Sequence, residues 1–353
     1  EHIGGGITLS NSISDILKST HNVYQTSFDQ AGAARSFDSN TPFYALGGRH
    51  NKFLRSTKLV TRILLVYRLR KLKRMLKIEL SISVLWEADL INLISGGADK
   101  KVSLLVSNFH DNPLNRHMVR YSRIFGSIYR KFHMVLAINN PVRKELSELF
   151  KIKASRLGVF RNFLAMPHPV PVWTRDQTRR YIFCGRLAPE KNLEGLLYVW
   201  VDFCVGHPNT QLIVLGDGPL ANSSQKLAVD LGLKVGYEPH DVVSDILFLG
   251  MVSRPEDYIV NAHALLLPSK NEGTPTVVII ALLLGVPIVA ADSNSGCIRD
   301  MLGGQNLGGD ADSVEVDAGL LLPIPDIQKE SSISTWVRQL SNFDSDTYKW
   351  DQR

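Results

Sequence analysis

Residues 269–292, SKNEGTPTVVIIALLLGVPIVAAD, constrain this chain more than any other stretch. A carboxylate, Glu272, and a Gly-Thr-Pro-Thr turn stand at the mouth of an apolar helix, which runs through a Gly-Val-Pro break into a buried strand. The start of a helix offers backbone N–H groups without intrahelical partners and the positive end of the macrodipole, so it suits an anion or a ring of hydroxyls. A turn that only packs needs no glutamate beside it. Taken alone, the stretch reads equally as a site or as packing.

Upstream segments weigh on the side of a site. Residues 181–199, YIFCGRLAPEKNLEGLLYV, are a short apolar strand, then Gly185-Arg186-Leu187, then Pro189-Glu190-Lys191-Asn192 leading into an amphipathic helix. Arg186 and Lys191 are thereby placed at a strand's carboxyl end, where open parallel sheets hold ligands. Two cations converging there suit a diphosphate, the arginine as a flat fork and the lysine as a point charge. QLIVLGDGP, residues 211–219, is a second buried strand ending in a glycine-rich turn, and DILFLGMV, residues 245–252, is a third.

In that order and spacing the segments resemble the C-terminal domain of glycosyltransferase family 4, retaining nucleotide-sugar enzymes of the GT-B fold within the group 1 glycosyl transferases. The resemblance rests on Gly185-Arg186-Leu187 with Glu190-Lys191, on Gly216-Asp217-Gly218-Pro219, and on Phe248-Leu249-Gly250. It continues through Pro268-Ser269 with Glu272-Gly273 to Gly285-Val286-Pro287. It is strong over residues 180–325 and weaker before them. Each motif alone is common; five in one order are specific.

The whole chain agrees with two domains. Its 353 residues fit two units of ordinary size, and 44% hydrophobic content can fill two cores. Charge divides between the halves: residues 1–170 hold 26 basic against 11 acidic side chains, the remainder 14 against 23. A basic half faces something anionic, such as a membrane, a phosphorylated acceptor or nucleic acid. No zinc-finger, RNP or helix-turn-helix signature accompanies the charge, so nucleic acid ranks last and no nucleic-acid partner is expected. Cys184, Cys204 and Cys297 lack metal-ligand spacing and read as reduced thiols of a cytosolic protein. No apolar run approaches the ~20 residues that cross a bilayer. No secretory signal opens the chain, and the expected location is cytoplasmic, at most peripheral on the inner membrane face.

The first half is less legible. EHIGGGI at residues 1–7 precedes a helix-like stretch to Lys18 and an extended stretch from Asn22. Family 4 chains usually open on a strand leading into a Gly-Gly turn; Gly5-Gly6-Ile7 resembles the turn, but the strand is missing. It is expected to be truncated or built differently, with a flexible tail as the plain alternative. Residues 55–77, from Arg55 to Lys77, carry nine basic side chains and no acidic one. Leu59, Ile63, Val66, Leu69, Leu72 and Leu76 follow helical spacing there, which predicts a helix whose apolar stripe packs on a sheet and whose charges attract an anionic membrane surface. Strand or strand–helix units are read at 81–93 and 101–110, and a buried strand at 132–139. Asn139 or Asn140 then caps a helix with Pro141 in its first turn. PHPVPVW from Pro167 is read as the interdomain linker. The expected domains are 1–166 (acceptor side, first strand missing) and 167–340 (donor side), with a tail at 341–353. The expected fold is α/β: a GT-B architecture of two Rossmann-like domains facing across a cleft.

The resemblance implies a site. Arg186 and Lys191 would hold the donor diphosphate, Gly6 would let its backbone approach the phosphate, and Gly250 and Met251 would line the base pocket. Glu272, with N–H groups of Gly273, Thr274 and Thr276, would fix the sugar, and His110 resembles the family histidine that contacts it; Glu272 and His110 are the catalytic candidates. The expected donor is a nucleoside-diphosphate sugar, the acceptor a glycan or lipid-linked molecule of polysaccharide or lipopolysaccharide synthesis, with no cofactor and no metal. Asp310-Ala-Asp312 and Asp344-Ser-Asp346 look like metal-binding Asp-x-Asp but fall in polar stretches and read as loop acids. One departure matters: the family carries a second glutamate eight residues after the first, and Ile280 stands there. That carboxylate ordinarily contacts the ribose, so its loss would weaken or alter donor binding or mark a chain without catalysis. The alternatives to a transferase are therefore a nucleotide-sugar-binding pseudoenzyme acting as a partner subunit, and a sugar-nucleotide epimerase of the same architecture.

Overall fold

The computed structural model describes residues 5–27, 41–46, 58–106, 109, 115–161, 168–173, 177–241, 243–293, 295–304 and 313–345. The chain divides into two units, Glu1–Phe163 and Leu164–Arg353.

The first unit opens on helix α1 (Gly5–Leu17), followed by β1 (Gln25–Ser27) and β2 (Phe43–Ala45), which pair in parallel as a sheet of their own. After α2 (Lys58–Met75) come β3 (Leu80–Val84), α3 (Trp86–Ile94), β4 (Lys100–Leu105), α4 (Arg116–Arg120), α5 (Ser122–Tyr129), β5 (Met134–Ala137), α6 (Asn140–Phe150) and β6 (Leu157–Val159). Strands β3 to β6 form a parallel sheet in chain order. The Asn139 side chain accepts the Val142 N–H at 2.9 Å, with Pro141 in the first turn of α6, as the sequence predicts.

Helix α2 keeps most of the expected stripe, since Val66, Leu69, Leu72 and Leu76 pack together, but Leu65 rather than Ile63 completes it. Leu65, Leu69 and Leu72 are its buried apolar residues, with Val66 and Leu76 packed against them, whereas Ile63 is 60% exposed. Nor are its charges unopposed. Lys73 is buried and donates to Asp99 at 2.8 Å and to the Asn92 side chain at 2.5 Å. Arg62 pairs with Glu87 at 2.9 Å. Lys101 reaches the other Asp99 oxygen at 3.1 Å. Asn92 donates to Ser83, and Ser83, Ser103 and Tyr129 donate to Asp89, so one polar network runs under α2 and α3. Burial pushes the Asp89 carboxyl up to about 7 even though these three hydroxyls pull it back.

The second unit contains β7 (Arg179–Cys184), α7 (Leu193–Gly206), β8 (Thr210–Leu215), α8 (Ala221–Asp230), β9 (Val235–Gly236), β10 (Ile246–Gly250), α9 (Glu256–Ile259), β11 (Ala264–Leu267), α10 (Thr276–Leu283), β12 (Ile288–Ala291), α11 (Cys297–Met301), β13 (Val314–Val316), β14 (Gly319–Leu322) and α12 (Glu330–Ser345). Its sheet runs β13-β14-β12-β11-β7-β8-β10-β9, parallel except for the β13–β14 pair. Side chains alternate strictly between two cores. Tyr181 and Phe183 of β7 join Trp200 and Trp336 on one face, while Ile182 joins Val278 and Ile288 on the other. Strands buried on both faces read as continuous apolar runs, which is why these were visible in the sequence. Chain order reverses between β7 and β11, and at such a point the loops beyond the carboxyl ends diverge and leave a crevice.

One segment and one helix end differ from expectation. The segment read as a linker is docked on the second unit: the Val170 and Val172 N–H groups bond to Asp257, and Trp173 Nε1 donates to the Pro239 carbonyl at 3.0 Å. Helix α12 runs past Leu340, where the tail was expected to begin, and Phe343 is buried in the core beside Trp336. Asp344 is thus helical rather than in a loop; Asp310, Asp312 and Asp346 lie outside the described residues.

Candidate active site

Three loops meet backbone to backbone beyond the carboxyl ends of β7, β8 and β10. Gly185 N–H bonds to the Leu215 carbonyl at 2.9 Å, and Leu187 N–H to the Asp217 carbonyl at 2.9 Å. A Cβ at Gly216 would lie 1.9 Å from the Gly185 carbonyl oxygen, and one at Gly218 would lie 2.4 Å from that of Leu187. The Gly-Asp-Gly turn is therefore a requirement of close approach. Gly216 N–H in turn bonds to the Gly250 carbonyl at 2.7 Å, and Gly250 has φ of 66°.

A second set of bonds ties the β7 loop across the switch point to β11. Lys270 N–H bonds to the Glu190 carbonyl at 2.9 Å. The buried Asn192 side chain donates to the Pro268 carbonyl at 3.2 Å and to the Pro325 carbonyl at 2.9 Å. Asn192 has φ of 55°, a conformation asparagine tolerates better than most residues. The motif reading gave it no role; its place after Glu-Lys, at the turn into α7, was the available signal.

The frame brings Lys191 and Glu272 together. Lys191 Nζ donates to both Glu272 carboxylate oxygens, at 2.6 and 2.8 Å, and Ser269 Oγ donates to one of them at 2.7 Å. The Glu272 side chain is 6% exposed and that of Lys191 21%. Ser269 was quoted in the motif without this role; its Ser-x-x-Glu spacing could have suggested it. Arg186 is more open and pairs with Glu190 at 2.6 Å. Burial pushes the Glu190 carboxyl up, but the hydrogen bonds from Arg186 and the backbone, with the charges of Arg186 and Lys191, hold it below the usual carboxylate range. Both cations assigned to a diphosphate thus rest on carboxylates of the protein itself.

The remaining candidates divide. Thr276 begins α10, which no side chain caps, so its amino end points amide groups at the turn holding Gly273 and Thr274. Thr274 Oγ1 lies 3.9 Å from Cys297 Sγ. Met251 is 58% exposed next to Gly250. Gly6 lies in the first turn of α1, in the other unit, rather than in a turn before it. His110 lies outside the described residues. Ile280 packs in an apolar core with Val278, Ala281 and Ile288. Among the described residues no three His, Cys, Asp or Glu side chains group as metal ligands do.

Residues 172–303 match the family model described as glycosyl transferases group 1. The matched residues all lie in the second unit and include the motif series that resembles this family. The chain is 26% identical over 223 residues to the Vi polysaccharide biosynthesis protein VipC/TviE of Salmonella typhi, covering 55% of this chain and 36% of that protein. It is 28% identical over 183 residues to the lipopolysaccharide 1,6-galactosyltransferase of Salmonella typhimurium, covering 49% and 46%. The match thus spans well under two thirds of either relative. Among solved structures, the lipopolysaccharide outer core galactosyltransferase WaaB in its apo form is similar at a TM-score of 0.65 and 18% identity, over 97% of this chain and 87% of that one. Anabaena Alr3699/HepE in complex with UDP and glucose is similar at 0.66 and 14%, over 99% and 95%. The chain shares its α/β fold with these GT-B glycosyltransferases.

Proposed function

We propose that the chain is a retaining glycosyltransferase of family 4 that moves a sugar from a nucleoside diphosphate to a glycan or lipid-linked acceptor of polysaccharide or lipopolysaccharide synthesis. The observation that carries this reading is the meeting of Arg186, Lys191 and Glu272 at the switch point of the second sheet. Arg186 and Lys191 hold the diphosphate and offset the negative charge that grows on it as the bond from the anomeric carbon to phosphate oxygen breaks. Glu272 accepts hydrogen bonds from sugar hydroxyls, and the amides at the start of α10 add to them. Because side-chain cations meet the leaving group, the reading asks for no metal. UDP-sugars are the first donors to try, since a similar structure holds UDP and glucose.

The basic first unit suits an anionic acceptor or membrane surface. Val60, Ile63 and Tyr67 are exposed on α2 together with Arg70, Lys71 and Arg74, which pairs apolar side chains with cations as interfacial helices do. None of the described helices is long and apolar enough to cross a membrane. The proposed location is the cytoplasm, at the inner membrane face.

The test is release of nucleoside diphosphate from a panel of nucleotide-sugars, with and without polysaccharide and lipid-linked acceptors. Release that accelerates with acceptor, giving a product of retained anomeric configuration, supports the reading. Tight nucleotide binding without transfer or hydrolysis of any donor favours the second reading, a nucleotide-sugar-binding partner subunit. The burial of Ile280 where the family has a carboxylate is the observation on its side.

A further inference from the structure

We infer that the Lys191–Glu272 pair is a latch that makes the site bind an intact nucleotide-sugar in preference to the nucleoside diphosphate alone, and so favours product release. The inference rests on the donor-site reading above. Glu272 is nearly inaccessible and its charge is met by two bonds from Lys191 and one from Ser269. A diphosphate can recruit Lys191 only by drawing it off that carboxylate. Among the described residues Glu272 is then left with the Ser269 hydroxyl alone, and a buried carboxylate short of donors is costly. A sugar on the diphosphate supplies hydroxyl donors that replace the ammonium on Glu272, so the whole donor satisfies both partners. The nucleoside diphosphate satisfies one and orphans the other. Once the sugar has left, Lys191 returns to Glu272 and the diphosphate loses a cation.

The Arg186–Glu190 pair does not discriminate in this way. Both of its side chains are open to solvent, at 53% and 40% exposure, and water can replace either partner at little cost. The contrast between a sheltered pair and an open one places the discrimination on Lys191 and Glu272. The surrounding backbone is held by the Asn192 and Lys270 bonds, so the exchange takes place in the lysine side chain rather than the loop.

Titration calorimetry of the full chain with UDP and with UDP-glucose, or with the base that most raises the melting temperature, tests the latch. Glu272→Gln removes the competing charge and leaves Lys191 free. It is expected to bind nucleoside diphosphate about tenfold more tightly than wild type, the equivalent of one charge-assisted hydrogen bond, and to lose the preference for the sugar ester. Ser269→Ala removes the other donor to Glu272, so that the carboxylate depends more on Lys191. It is expected to move nucleoside diphosphate affinity the opposite way, and it keeps the proposal testable should Glu272→Gln fail to fold. If nucleoside diphosphate affinity is unchanged or weaker in Glu272→Gln while Lys191→Ala weakens it, the latch is wrong and the donor site stands. If neither Arg186→Ala nor Lys191→Ala alters it, or wild type binds no nucleotide, the donor-site reading falls and the latch with it.

Discussion

In the second unit the strands carry apolar side chains on both faces, and the ion pairs Arg186–Glu190, Lys191–Glu272 and Arg299–Asp292 lie beyond the strands' carboxyl ends, the last reaching from α11. In the first unit Lys73, Asp99, Lys101 and Asp89 lie inside, under α2 and α3, joined through Asn92 and serine hydroxyls. The same residue types therefore do different work. At the edge of a sheet a charged pair can exchange partners with a ligand; within a core it holds one geometry and is costly to break. The difference fits the ligand chemistry proposed for the second unit's loops and a structural role for the first unit's buried charges.

The strongest way to break that contrast is Asp99→Ala. It leaves two buried ammonium groups without their carboxylate and is expected to destabilise the first unit by about 3–5 kcal/mol. Calorimetry should show a transition moving down while nucleotide binding to the remaining folded protein is retained. Unchanged melting would mean that the network is hydrated.

A pH series sharpens the same point at Asp89. Its folded carboxyl titrates at about 7, above the unfolded value of 3.8, so the unfolded chain gives up the proton first. Stability is expected to fall as pH rises from about 4 to about 7, by on the order of 4 kcal/mol from this group, and to level off above. Denaturant titrations of wild type and Asp89→Asn, subtracted across pH, isolate this contribution. A difference independent of pH would count against it.

In the second unit, Ile280→Glu restores the family's carboxylate in sequence but places it among Val278, Ala281 and Ile288. If Ile280 had only lost a ribose contact, the added carboxylate would tighten donor binding. The packing instead predicts a loss of about 3 kcal/mol of stability and weaker binding, measured by melting and titration. The smallest expected effect is on α2, where Lys71→Ser should lower affinity for anionic vesicles by about 1 kcal/mol at low salt and by less as salt rises. Equal binding to neutral vesicles would instead assign the contact to Ile63 and Tyr67.

The contrast also explains what could be read in advance. The second unit was legible because its loops touch: Gly216 and Gly218 admit no side chain, Asn192 takes a left-handed turn, and doubly buried strands spell apolar runs. Those demands act on neighbouring residues and leave motifs. The network of the first unit does not, because Asp99 meets Lys73 and Tyr129 meets Asp89 only after folding. Read locally, α2 looked like an unopposed basic helix, and its buried Lys73 was indistinguishable from its solvated neighbours. The Lys191–Glu272 bond was hidden for the same reason: each residue was visible in its motif, but 81 positions separate them.

The switch-point cluster is proposed to handle the leaving diphosphate of a nucleotide-sugar. Single-turnover release of nucleoside diphosphate from the best donor, in wild type and in Lys191→Ala, tests it most directly. A rate lower by about 10²–10³-fold is expected in the variant with the fold intact, the size of effect that follows removal of a group that stabilises developing charge. An equal rate in both proteins would contradict it.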